Sequence, residues 1–222
     1  MTRIETTGLI LDLDDTLYLE RDYVRSGFDA VGRYVAEACG VQDFGERCWA
    51  LFESGARGVT FNRALGEAGL SGSIDCGALV DMYRTHTPSL RLQDDAAQFL
   101  RDWPSDRPLG LITDGPVPSQ SAKIAALGLQ VRLSPIVISD EFGTEFRKPH
   151  DRPFQTVEKA LGLAPDQLTY IADNPSKDFI APRRRGWGTV RIRRPEGEHH
   201  DVEDSSGFPP HSEIVSFEEL TW

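Results

Sequence analysis

The sequence predicts an α/β fold, a mostly parallel sheet flanked by helices and interrupted early by an α-helical insertion. Three observations carry this expectation. Short apolar runs of strand length recur at 8–13, 109–113, 136–139, 168–172 and 189–192. Helix-like segments at 118–127, 153–161 and 176–185 separate the later runs, with apolar residues at helical spacing and glycines 128, 162 and 186 at their ends. Between 18 and 88 the alternation fails and consecutive helices are expected, around 23–39, 45–54, 60–68 and 74–84.

Each element follows from its local pattern. Runs such as GLIL and LGLI are apolar throughout, as strands covered on both faces are. Alternating strands and helices give a parallel sheet, whose site lies beyond the carboxyl ends of its strands. The polar residues closing these runs are Asp12, Thr113, Asp140 and Asp173. Helix resumes around 92–103. The polar stretch PEGEHHDVEDSSGFPP after Arg194 reads as a loop, and 213–217 as a last short strand. The division expected is a core of 1–17 with 89–222 and a helical cap of 18–88.

The 222 residues suffice for one substantial domain plus an insertion. Acidic residues outnumber basic ones, 35 to 24, for a net charge of −11. That balance argues against nucleic acid as a partner and leaves an anionic substrate in need of a local cation. No apolar run has the length of a membrane span or the form of a signal peptide. Cys39, Cys48 and Cys76 lack metal-ligand spacing and cannot all pair, which fits a reduced cytoplasmic protein, a monomer or small homo-oligomer.

The chemistry is concentrated where the first strand stops. In DLDDT, at 12–16, three carboxylates follow a buried run. Two carboxylates about 4 Å apart repel by roughly 4 kcal/mol even at an effective dielectric near 20. A divalent cation relieves this, and oxygen-only ligands favour Mg2+. One carboxylate can then act as nucleophile while its neighbour moves protons.

Four motifs in order, DLDDT at 12–16, TDG at 113–115, RKP at 147–149 and DNPSKD at 173–178, resemble those of the haloacid dehalogenase-like superfamily, and within it the small phosphatases with a helical cap. The resemblance implies a Rossmann-like core, Mg2+ as cofactor and a small phosphorylated metabolite as substrate. Asp12 would be the nucleophile, giving an aspartyl-phosphate, and Asp14 the general acid and then the general base. Asp12, Asp14 (through its main-chain carbonyl) and Asp173 would hold the metal. Thr113, Asp114 and Gly115 would cradle the phosphate, a hydroxyl with successive backbone N–H groups. Lys148 would neutralise both the nucleophile and the phosphoryl oxygens. Thr16 would brace the loop through a side-chain hydrogen bond, while Asn174 and Asp178 would orient the metal's surroundings or the lysine. Asp15 and Asp114 stand where many relatives carry glycine and asparagine.

Asp14 also bears on the reaction. Dehalogenating relatives need no acid for a departing halide and generally lack this aspartate, so C–X chemistry is disfavoured. A phosphomutase on the same scaffold, and a non-catalytic binding protein that kept the fold, are the alternatives. Three further features point elsewhere. Arg147 reads as a surface charge, and the basic stretch 183–194 as solvated, with Arg191 and Arg193 on one strand face. GEHHD at 197–201 lacks ligand spacing. Tyr23, Phe28, Trp49 and Phe52 read as cap core.

Overall fold

A computed structural model describes residues 1–222 and contains two compact units, residues 1–20 with 91–222, and residues 21–90. The chain opens with β1 (Thr2–Arg3) and β2 (Gly8–Leu11). Four helices follow, α1 (Glu20–Cys39), α2 (Phe44–Glu53), α3 (Thr60–Glu67) and α4 (Cys76–Thr85). The remainder runs α5 (Asp94–Asp102), β3 (Leu109–Thr113), α6 (Val117–Ala126), β4 (Ile136–Ile138), α7 (Arg152–Leu161), β5 (Leu168–Ala172), α8 (Ile180–Arg185), β6 (Gly188–Ile192), β7 (Ser212–Ile214) and β8 (Leu220–Thr221).

In the first unit six strands form one parallel sheet in the order β4-β3-β2-β5-β6-β7, and β1 pairs separately with β8. β2, β3 and β5 are buried along their whole length, which is why their sequences are apolar without alternation. The chain leaves β2 for β3 and β4, then crosses to β5 on the other side of β2. Such a reversal opens a crevice at the strand ends, and here Asp12, Thr113 and Asp173 each follow or close a strand flanking it. Ile10, Ile112, Phe154, Tyr170, Phe179 and Trp187 belong to the core beside the sheet.

The second unit is built on α1, whose Val24, Phe28, Val31 and Val35 share one face and pack with Phe44, Cys48, Leu51, Phe61, Ala64, Leu65 and Leu79. Helices α1 and α2 cross where Gly32 meets Gly45: a Cβ on Gly32 would stand 2.9 Å from the Gly45 nitrogen. Asp75 caps α4 by accepting from the Gly77 and Ala78 N–H groups. Phe28 is central to this core; Trp49 and Phe52 are only partly buried against it, and Arg21 and Arg25 lie over the Trp49 ring. Tyr23 packs edge-on to Tyr83. No helix in the chain is long and apolar enough to cross a membrane, and the three cysteines are free thiols.

Two elements are shorter than their sequence patterns suggest. The first strand ends at Leu11, so Asp12 and Leu13 belong to the loop. The last helix of the core begins at Ile180 rather than near Ser176. Asn174 Oδ1 accepts from the Ser176 N–H at 2.9 Å and Asp178 Oδ2 from the Asn174 N–H at 3.0 Å. These side-chain bonds hold a turn where the periodicity alone favours helix.

Candidate active site

Asp12 leaves the sheet as β2 ends, anchored by its N–H to the Ile171 carbonyl at 2.8 Å. Its side chain is buried, and the Lys148 ammonium donates to Oδ1 at 2.7 Å. The same ammonium stands 2.8 Å from Asp178 Oδ1 and 3.0 Å from the Tyr170 hydroxyl. Burial raises the Asp12 carboxyl to about 7, although Lys148 pulls the other way. Asp173 is driven well above the usual carboxylate range by burial and by repulsion from Asp178 and Asp12. The Lys148 ammonium, desolvated but facing Asp12 and Asp178, is held charged well beyond its ordinary range.

Carboxylate oxygens of Asp12, Asp173 and Asp178 lie within 4.8 Å of one another. These three carboxylates are close enough together to share one divalent cation through oxygen ligands.

Asp14 lies beside this group, but its carboxylate is engaged elsewhere. Lys123 donates to Oδ1 at 2.7 Å and Gln120 to Oδ2 at 2.9 Å, and the Tyr18 hydroxyl makes a short bond to Oδ1. Burial pushes Asp14 up, yet Lys123 and these hydrogen bonds outweigh it and leave the carboxyl below its ordinary value. Asp15 has φ +49°. It is held there by the Glu20 N–H on Oδ1 and the Glu198 N–H on Oδ2, both at 2.8 Å. A left-handed residue explains why glycine suits this position in relatives, and why aspartate with its short bonding side chain also serves.

The expectation for Thr16 needs correcting. Its buried hydroxyl has no hydrogen-bond partner. The loop is braced instead through the Thr16 carbonyl, which accepts from Arg194 Nε and Nη2 at 3.2 and 2.8 Å. Arg194 in turn pairs with Asp95 at 2.6 Å.

At the end of β3, Gln120 donates to Thr113 Oγ1 at 2.7 Å, which leaves the Thr113 proton to serve another acceptor. Gly115 has φ +132°, a conformation closed to other residues without strain. The Asp114 side chain turns away from solvent: Oδ1 accepts from Ser139 at 2.7 Å and from the Lys148 N–H at 3.1 Å, and Oδ2 from Lys177 at 2.9 Å. Arg147 forms a two-pronged pair with Asp140, consistent with a charge outside the cavity.

The basic stretch is not wholly solvated as its pattern suggests. Arg191 is completely buried. Its guanidinium donates to the Asp173 carbonyl at 3.1 Å and to the His199 and Val202 carbonyls at 2.7 Å each. It thereby folds the polar loop back over the sheet edge and delivers His199, whose Nε2 lies 2.8 Å from Asn174 Nδ2, to the cavity wall. That cavity is also lined by Asp12, Asp14, Asp15, Glu20, Thr113, Asp114, Lys148, Asp173, Asn174 and Lys177. Lys123, Gln120 and Tyr18 lie outside the motifs, whereas Lys177 sits within DNPSKD and His199 within GEHHD without a role that either pattern assigns. Gln120 and Lys123 do carry one signal, since they are three apart and share a helix face.

The family model for haloacid dehalogenase-like hydrolases matches residues 6–185. The chain belongs to this family. Among haloacid dehalogenase-like relatives, a glyceraldehyde 3-phosphate phosphatase from Methanopyrus kandleri is 37% identical over 95 residues, 43% of this chain and 39% of that protein. The chain thus spans about two-fifths of that relative's length. A phosphoserine phosphatase from Thermus thermophilus is 27% identical over 84% of this chain and 88% of its own. The fold matches that of the HAD hydrolase YfnB from Bacillus subtilis, solved bound to magnesium, with TM-score 0.69, 21% identity and 97% of each chain covered. It also matches L-2-haloacid dehalogenase from Xanthobacter autotrophicus, with TM-score 0.61, 17% identity and 96% of each chain covered.

Proposed function

We propose that the protein is a Mg2+-dependent phosphatase that hydrolyses a small-molecule phosphomonoester through an aspartyl-phosphate on Asp12. One observation carries the reading: a buried carboxylate at the tip of the central strand is ion-paired to Lys148 and grouped with Asp173 and Asp178, while a second carboxylate two residues on is separately positioned. The sequence relatives named as phosphatases support it.

Asp12, Asp173 and the Asp14 main-chain carbonyl would hold Mg2+, with Asp178 beside them. Bound there, the ion would neutralise carboxylates and phosphoryl oxygens together. Lys148 and the bound ion together would favour the ionised Asp12 and aim it, so its carboxylate oxygen can attack phosphorus as the P–O bond to the leaving alcohol breaks. Thr113 and the backbone N–H groups around Gly115 would bind the phosphoryl oxygens. Asp14 accepts a proton from the water that then cleaves the aspartyl-phosphate. In the first half-reaction Asp14 must carry a proton to the leaving alcohol, and Lys123 works against that state. Alkyl phosphates should therefore react more slowly than aryl phosphates, whose leaving groups depart unprotonated. A positioned Asp14 also disfavours dehalogenation, which has no use for an acid.

The insertion of residues 21–90 directly after the Asp12–Thr16 loop in the chain is the reason to assign the helical unit the role of a cap selecting the leaving group. The test is hydrolysis of a generic aryl phosphate. Turnover should require Mg2+, stop with EDTA and be lost in Asp12→Asn. Equal turnover in EDTA would remove the metal from the account.

A further inference from the structure

Lys148, which the motif order assigns to both nucleophile and phosphate, has little left for a phosphate. Its ammonium donates to Asp12 Oδ1 at 2.7 Å and to the Tyr170 hydroxyl at 3.0 Å, and Asp178 Oδ1 closes on it as an ion pair at 2.8 Å, so the protein's own oxygens enclose Nζ. Its side chain is 1% exposed, whereas that of Lys177, on the same cavity, is 36% exposed. Lys177 Nζ has one acceptor, Asp114 Oδ2 at 2.9 Å, which leaves two N–H groups unspent. The remaining cavity wall is overwhelmingly acidic, with Asp12, Asp14, Asp15, Glu20, Asp114 and Asp173. An incoming dianion needs a reachable cation there.

We propose that Lys177 is a phosphate-binding residue of this site: Asp114 holds its ammonium at the cavity wall, and its other two N–H groups bond the phosphoryl oxygens. The proposal rests on the phosphatase reading and deepens it. Asp114 is thereby explained as well. In place of a neutral amide the chain carries an anion, and that anion is the socket for a second cation 63 residues further on.

The competing role for Lys177 is only to neutralise Asp114, and a double substitution separates the two. Binding of inorganic phosphate in the presence of Mg2+ is measured by calorimetry, and as product inhibition of aryl phosphate hydrolysis. Lys177→Met should weaken phosphate by roughly tenfold to a hundredfold, the usual loss for a charge-assisted hydrogen bond, and raise KM more than it lowers kcat. Lys177→Arg should recover most of the loss. Asp114→Asn loosens the socket and should weaken phosphate less than Lys177→Met does. The pair Asp114→Asn with Lys177→Met removes both charges and should stay weak. Phosphate affinity restored in that double variant would reduce Lys177 to a counter-ion and overturn the proposal while leaving the phosphatase reading standing. An unaltered protein that neither binds phosphate nor turns over aryl phosphate would overturn the phosphatase reading and this one with it.

Discussion

Removing the metal should leave a pH signature on stability that belongs to Asp12. Burial holds its carboxyl at about 7 in the folded chain against an ordinary value of 3.8. A group whose folded value is raised keeps its proton in the native state after the unfolded chain has released it. Its stabilisation is therefore complete below the unfolded value and is lost as pH rises through the folded one. Three pH units at 1.36 kcal/mol each amount to about 4 kcal/mol across the window, of which about 3 kcal/mol falls between pH 5 and pH 8. Asp15, Glu20 and Asp173 are raised too and act in the same direction. The carboxyls held low, Asp14, Asp43, Glu46, Asp95 and Asp114, have the opposite sign but act below the ordinary carboxylate range, outside this window. The assay is urea unfolding in EDTA at several pH values for the unaltered protein and for Asp12→Asn, which cannot titrate. Their difference reports Asp12 together with the part of the Asp173 shift that its charge causes, and should favour the unaltered protein increasingly as pH falls. Mg2+ should restore stability at pH 8 in the unaltered protein. Parallel pH profiles for the two proteins would refute the electrostatic reasoning.

Other perturbations reach different parts of the account. Arg191→Met strips the donor from the Asp173, His199 and Val202 carbonyls and should cost about 3 kcal/mol or more, read as a lowered Tm, with weaker Mg2+ binding by calorimetry. Lys123→Met removes the charge that holds Asp14 low. The acidic limb of the pH–rate profile should move upward, and alkyl phosphates should gain on aryl phosphates; an unmoved limb would show that Lys123 does not set Asp14. Gly32→Val drives a side chain into the Gly45 backbone and should destabilise the helical unit by about 2 kcal/mol or more, visible as an earlier unfolding transition.

How much of this was legible depends on the range over which a residue's fate is decided. Asp12, Thr113 and Asp173 stand out because each interrupts an apolar run, and strand ends in a parallel sheet converge. Arg191 shows the limit of alternation. Its strand position is correct, but the face it shares with Arg193 is covered by the loop that it draws back, and no local pattern announces a returning loop. Lys123 meets Asp14 across 109 residues, and Lys177 meets Asp114 across 63, so each pairing appears only when the sheet order is known. Thr16 erred differently. A hydroxyl after a turn ordinarily bonds nearby backbone, yet here the carbonyl takes the structural role because Arg194 reaches it from the segment just past β6.

The most direct test is to stop the reaction with acid while a phosphomonoester is being turned over and locate any phosphoryl group by peptide mass spectrometry. The peptide containing Asp12 should carry it, and Asp12→Asn should carry none. A phosphoryl group on another residue, or continued turnover by Asp12→Asn, would contradict the claim that this carboxylate attacks phosphorus.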